Sequence, residues 1–317
     1  MLNKLKLFTQ DNKQLLGMLV AIAILFTVLS FTVKDFMTFL NITNMLAQVA
    51  PIAIMASGVT FVLVTGGIDI SGPSVMAASA VIGVYFMTSV GNLVIGTIVV
   101  LAAGALFGLI NGAAVAKLKM VPLVVTLSMM TVATGLATAV GGGTGLPTLP
   151  PSFASFFNKY TVIGMLIVIP AILDFILHGT SFGRKVYYIG NNHNTARISG
   201  INTSSVILSV YIICSVCAAI AGIINIASIS TARAAMGPQS QILDVISAAV
   251  IGGVAVNGGK GRVRDACFGA LLVVGVNNVM NMIGVSDYYT TLIKGSIIIF
   301  AMGISSLRAY YVSRKLA

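Results

Sequence analysis

Runs of apolar residues, each about as long as a bilayer is thick, follow one another along the chain and are parted by short polar islands. They cover approximately residues 15–33, 44–65, 71–88, 93–116, 121–140, 161–177, 204–228, 241–257, 266–284 and 289–306. A helix needs roughly 20 mainly apolar residues to cross the hydrocarbon core. Because that core holds no water to satisfy backbone groups, a spanning segment is a helix or part of a closed barrel, and these runs are too long and too uniformly apolar for barrel strands. The pattern predicts an all-α polytopic membrane protein of about ten transmembrane helices. So many spans use most of the 317 residues and leave no stretch for a folded soluble domain, so a single transmembrane domain over residues 1–317 is expected.

Charge refines this picture. Apolar residues make up 57% of the chain and charged ones 8%, with a net charge of +11. In a soluble protein that excess would point to nucleic acid; here topology accounts for it. Ten crossings place both termini on one side. If that side is the cytoplasm, 14 of the 18 basic residues fall inside, among them Lys4, Lys6, Lys13, Lys117, Lys119, Arg184, Lys185, Arg197, Lys260 and Arg308. Lys34, Lys159 and Arg233 fall outside, and Lys294 sits just within the tenth span, where its long side chain can snorkel. The basic start followed by the run from Leu15 to Phe31 has no small-residue cleavage site and reads as a retained first helix. Cys214 and Cys217 lie within a span, and Cys267 opens another; a lone C-x-x-C has too few ligands for structural zinc, so these read as small buried filler.

Small residues suggest how the helices meet. Gly104, Gly108 and Gly112 recur every four residues on one face of the fourth span, where a neighbouring helix can approach closely. Two connections are long: a Gly- and Pro-rich one from Gly141 to Tyr160, and a polar, basic one from Gly179 to Thr203 suited to meeting a partner. Gly66 and Gly67 before one polar turn echo Gly252 and Gly253 before another, a hint of internal duplication.

Candidate chemistry is sparse. Gly258, Gly259, Lys260, Gly261 and Arg262 lack P-loop spacing, so the chain has no such ATP site. Glu is absent, and none of the seven Asp residues falls at a span centre, which disfavours ion coupling through carboxylates. Neither a hydrolytic triad nor a metal set is expected. Asp244, opening the eighth span, is expected to cap it, and Asp69, before Ser71, Pro73 and Ser74, either caps and starts the third span or takes part in gating. Asn277, Asn278 and Asn281 in the ninth span, and Thr126 and Ser128 in the fifth, either bond between helices or line a route for a hydroxyl-rich solute.

Four segments resemble one family, the permease subunits of bacterial ABC importers for ribose and related sugars. Thr65 to Ser71 with Ser74 is similar to its T-G-G-I-D-L-S-x-G-S stretch, with Gly72 and Pro73 in place of the usual valine and glycine. Gly108 to Gly112 continues to Pro122, Thr126 and Leu127. Gly183, Arg184, Tyr187, Gly190, Asn192, Arg197, Ser199, Gly200, Ile201 and Asn202 resemble its cytoplasmic G-R-x-x-Y-x-x-G-x-N loop and the S-G-I-N that follows. Leu243 and Asp244 lead through Val250 to Gly253 and on to Gly258, Gly259, Gly261 and Arg262, without the Glu that the family often carries near Gln241.

The resemblance implies a multi-pass permease of the bacterial inner membrane, paired with a second copy or a sister permease. An external solute-binding protein would deliver the sugar. A cytoplasmic ATPase holding ATP and Mg would dock on the loop about 179–203, so that no catalysis and no cofactor belong to this chain. Nucleic acid is not an expected partner. A stand-alone carrier or channel for a small polar solute is the competing reading, supported by the helix count alone.

Overall fold

A computed structural model describes residues 13–142, 146, 149–237, 239–286 and 288–296. Among them every regular element is helical. In chain order these are α1 (Lys13–Thr32), α2 (Phe39–Val64), α3 (Gly72–Val90), α4 (Leu93–Ala116), α5 (Pro122–Gly141), α6 (Pro151–Phe156), α7 (Lys159–Gly179), α8 (Ser181–Asn191), α9 (His193–Ile198), α10 (Thr203–Ile229), α11 (Gln239–Ile251), α12 (Val263–Met282) and α13 (288–296). A 3₁₀ turn, Ala234–Met236, precedes α11. Seven of the helices, α2, α3, α4, α5, α7, α10 and α12, are long and apolar enough to cross a membrane. Both chain termini, the tenth run beyond residue 296, and Gly143, Gly145 and Pro147 of the long Gly/Pro connection lie outside the described residues.

The helix ends carry the local signals that fix them. Asn92 accepts hydrogen bonds from the amides of Val94 and Ile95 to start α4, and Asn158 does the same for α7 through Tyr160 and Thr161. Such caps satisfy amides that the first helical turn leaves without partners. Pro122 occupies the first turn of α5, where its missing N–H costs nothing.

α2 is the centre of the bundle, buried almost continuously from Val49 to Val64, with α7, α10, α11 and α12 around it. Its Gly58 admits Cys214 and Cys217 of α10: a Cβ there would stand 2.9 Å from the Cys214 Cα and from the Cys217 Cβ. Both cysteines are buried filler, as expected. The glycine stripe of α4 does what its spacing predicts. Gly104, Gly108 and Gly112 bring α4 against Ser215, Tyr211 and Leu208 of α10, backbone near backbone.

One expected span is corrected. Instead of running from 241 to 257, α11 stops at Ile251, and Gly252 to Arg262 form a turn. Gly252 lies so near the Asp265 carbonyl that only a residue without a Cβ fits. This turn and the segment after α2 lie at one end of the bundle and touch, since a Cβ on Gly258 would sit 3.0 Å from the Gly66 amide nitrogen. Of the sequence echo, Gly66 thus packs on the turn that follows Gly252 and Gly253, while Gly252 itself packs on Asp265. At the opposite end the long connection is pinned down, with Leu146 donating to the Ala232 carbonyl, Leu149 to that of Ser230, and the Thr231 hydroxyl to Leu146.

Candidate functional site

The segment between α7 and α10 forms a platform across one end of the bundle. The polar, basic connection of the sequence folds into two short helices that also bury apolar side chains. α8 is amphipathic, burying Val186 and Ile189, and α9 buries Ala196. Thr180 caps α8 through the Gly183 amide, and Asn192 caps α9 through that of Thr195.

The residues of the loop motif divide into two sets. Gly183, Tyr187 and Gly190 face the bundle. Gly183 packs on the Leu177 carbonyl, and Gly190 on the Val64 carbonyl at the end of α2, each too close for any side chain. The same Val64 oxygen accepts from the Gly259 amide at 2.9 Å. The Tyr187 hydroxyl donates to the Gly261 carbonyl at 2.6 Å and lies 3.0 Å from His178 Nε2. Burial, and then the nearby Asp174 carboxylate, push the Tyr187 phenol up to about 12, so it remains a donor. Arg184, Asn192, Arg197, Ser199 and Gly200 face solvent, beside Lys185, Tyr188 and Ile198. Ile198 is 87% exposed and Tyr188 60% exposed, so the basic face carries an apolar centre. A partner with acidic and apolar groups would bury these together.

A second group of expected residues gathers where the chain returns from α2 into α3. Asp69 Oδ1 accepts from the Ser71 amide at 2.9 Å and from the Ser71 hydroxyl at 2.6 Å, and Ser71 Oγ accepts from Asn111 Nδ2 at 3.1 Å. Asp69 therefore closes a buried structural turn, tied to α4. Thr126 donates to the Pro122 carbonyl within α5, and Ser74 accepts from the Thr134 hydroxyl. Ser128 is exposed and bonded to the Val124 carbonyl of its own helix, so it joins neither group.

The three Asn residues of α12 part company. Asn278 exchanges two hydrogen bonds with Asn41 of α2, at 3.1 and 3.0 Å, a closed amide pair between helices. Asn277 turns toward Asp244, and Asn281 is exposed. Asp244 is not a cap. It lies in the interior of α11, buried, and accepts from Lys294 of α13 at 3.1 Å. Lys294 accordingly has a carboxylate partner instead of reaching for the surface. Local spacing carries no signal for this pair, whose members are 50 residues apart. Asp174 and Asp265, the other carboxylates in the described helices, also face basic side chains, His178 at 3.3 Å and Arg264 at 3.4 Å. Among the described residues no three His, Cys, Asp or Glu side chains gather to hold a metal.

A bundle of apolar helices, with glycine-packed cores and a basic platform across one end, is the build of a membrane transport protein. Residues 41–302 match the family model described as the branched-chain amino acid transport system / permease component, and the chain belongs to that family. It is similar to the ribose import permease protein RbsC of Bacillus subtilis (strain 168), 35% identical over 91% of this chain and 92% of that one. The L-arabinose transport system permease protein AraH of Escherichia coli (strain K12) is 33% identical over 90% of this chain and 88% of its own length. The galactose/methyl galactoside import permease protein MglC of the same strain is 30% identical, covering 94% and 95%. No solved structure matches the chain.

Proposed function

We propose that this chain is the membrane permease subunit of an ATP-driven ABC importer for a sugar. The observation that carries the reading is likeness over about nine tenths of the chain to permeases for ribose, arabinose and galactose. Those relatives favour a sugar over the branched-chain amino acids of the family's description. In this reading about ten helices cross the plasma membrane with both termini in the cytoplasm. The α8–α9 platform faces inward and docks on an ATPase that holds ATP and Mg, while a binding protein delivers the sugar outside. A second copy or a sister permease completes the pathway.

The platform supports this division of work. Its buried residues grip the end of α2 and the 252–262 turn, so a push on the exposed face moves structural elements instead of a slack loop. The stand-alone carrier reading is weaker, because the carboxylates of the described helices face basic partners and Asp69, in the turn before α3, is tied to Ser71.

Purification of the tagged chain from its native membrane in mild detergent, with mass spectrometry of what remains bound, tests the proposal. Recovery of an ABC ATPase is expected; a chain that emerges alone and still moves solute in liposomes would replace the importer by the carrier. Arg184→Glu should leave the chain inserted but uncouple ATP hydrolysis from uptake. Undiminished uptake in that variant would remove the docking assignment.

A further inference from the structure

At the end opposite the platform, the helices leave a cleft of about 400 Å³ between α2, α7 and α10. Its walls are more polar than spanning helices ordinarily are. α2 contributes Asn44 and Gln48, one turn apart on one face, and α10 contributes Asn225 and Ser228. Neither Asn44 nor Gln48 bonds to another described residue, and Asn225 contacts only the Met76 sulfur, at 3.2 Å through its amide nitrogen. Pro51, also in the wall, has no N–H, so the carbonyl of Ala47, a wall residue one turn before it, loses its helical partner. Asn225 and Ser228 also line an adjoining space of about 370 Å³ that reaches Arg233 and, on α11, Gln241 and Asp244.

Unpaired amides and a freed carbonyl are costly against lipid, so this surface faces water or a polar ligand. Lys159 also lines the cleft, with its ammonium donating to the Thr43 hydroxyl at 3.5 Å; the other polar groups are neutral and mix donors with acceptors, which suits hydroxyls. A volume of this size lies within the range of small-molecule sites. We propose that this cleft is a binding site for a neutral polyol of aldose size, held by Asn44, Gln48, Asn225 and Ser228. The site is where the solute enters the permease, and it rests on the orientation proposed above, with the platform inside.

Single cysteines at Gln48 and Ser228 test it, with Ser89→Cys at the exposed end of α3 as the control. A charged, membrane-impermeant methanethiosulfonate is applied to cells carrying the whole importer, and uptake of labelled D-ribose, L-arabinose and D-galactose is followed. Labelling at positions 48 and 228 is expected from outside, slowed by the transported sugar and reducing uptake at least tenfold, while labelled Ser89→Cys transports normally. Labelling that leaves uptake intact, or that sugar does not slow, overturns the site without touching the importer reading. Labelling only in everted vesicles contradicts entry at this cleft and the orientation together. If the parent transports none of the three sugars, the cleft is judged by Asn225→Leu and Gln48→Leu against whichever solute the parent does carry: unchanged uptake in both overturns it.

Discussion

Gly190→Ala is the sharpest test of how the platform is joined to the bundle. The added methyl would overlap the Val64 carbonyl and stand 2.6 Å from the Gly259 amide nitrogen. Both are backbone atoms and neither can swing aside. Restoring a contact of about 3.5 Å to the Val64 oxygen requires α8 to retreat by about 2 Å. Overpacking of this kind costs about 1–3 kcal/mol. The retreat also strains the Tyr187 to Gly261 hydrogen bond, worth about 0.5–1.5 kcal/mol. The expected total is therefore about 2–4 kcal/mol. Gly200 offers a matched comparison in the same segment. It has a left-handed φ of +79°, but a methyl there would meet nothing within 4 Å, so Gly200→Ala carries only backbone strain of about 1–2 kcal/mol. The free cysteines Cys214, Cys217 and Cys267 make a thiol-reactive dye a suitable thermal probe. Gly190→Ala should unfold at a clearly lower temperature than Gly200→Ala and should retain less ATPase in detergent. A Gly190→Ala protein with the parent's midpoint and the parent's ATPase content would refute the packing argument.

Two buried pairs make further predictions. Asn278→Leu leaves the Asn41 side chain with only the Phe36 carbonyl and should cost about 1–3 kcal/mol, whereas Asn41→Leu with Asn278→Leu should cost less than the sum of the two single changes; additive losses in thermal unfolding would show that the two amides do not interact. Lys294→Met strands the Asp244 carboxylate and should destabilise by about 3–5 kcal/mol, with Asp244→Asn added in the same chain restoring stability toward the parent; a single Lys294→Met variant as stable as the parent would remove the ion pair from the fold.

Much of the architecture is legible in the sequence because lipid imposes a one-dimensional rule. α4 occupies the expected 93–116, and the Gly104, Gly108 and Gly112 stripe names its own packing face. The rule fails where helices stop within the bundle. The run 241–257 is mainly apolar, yet α11 ends at Ile251 because Gly252 must admit the Asp265 backbone, a contact that hydropathy cannot register. The platform shows the same limit. Its motif spacing does not separate the two sets of residues; only the packing shows that Gly183, Tyr187 and Gly190 hold the segment to the bundle while Arg184 and Arg197 are exposed. The sequence misreads Asp244 as an acid at a helix start, since α11 begins at Gln239, and carries no sign of the ion pair that Lys294 makes with it from another helix.

The platform and the polar cleft lie at opposite ends of one helix. α2 has 26 residues, a length of roughly 39 Å at 1.5 Å per residue. Its last carbonyls receive Gly190 and Gly259, and its first half presents Asn44 and Gln48 to the cleft. Between these ends it is buried against α10 and α12 on close glycine and amide contacts, which favour movement of the helix with its neighbours over bending inside the core. Pro51 is the exception, because it breaks the hydrogen-bond ladder just below the cleft. A force applied to α8 therefore reaches a stiff lower segment first, and the proline is where that segment can change its angle to the cleft wall. The solute site would then respond to the ATPase through the hinge of a single element, with its polar groups carried on the part that pivots.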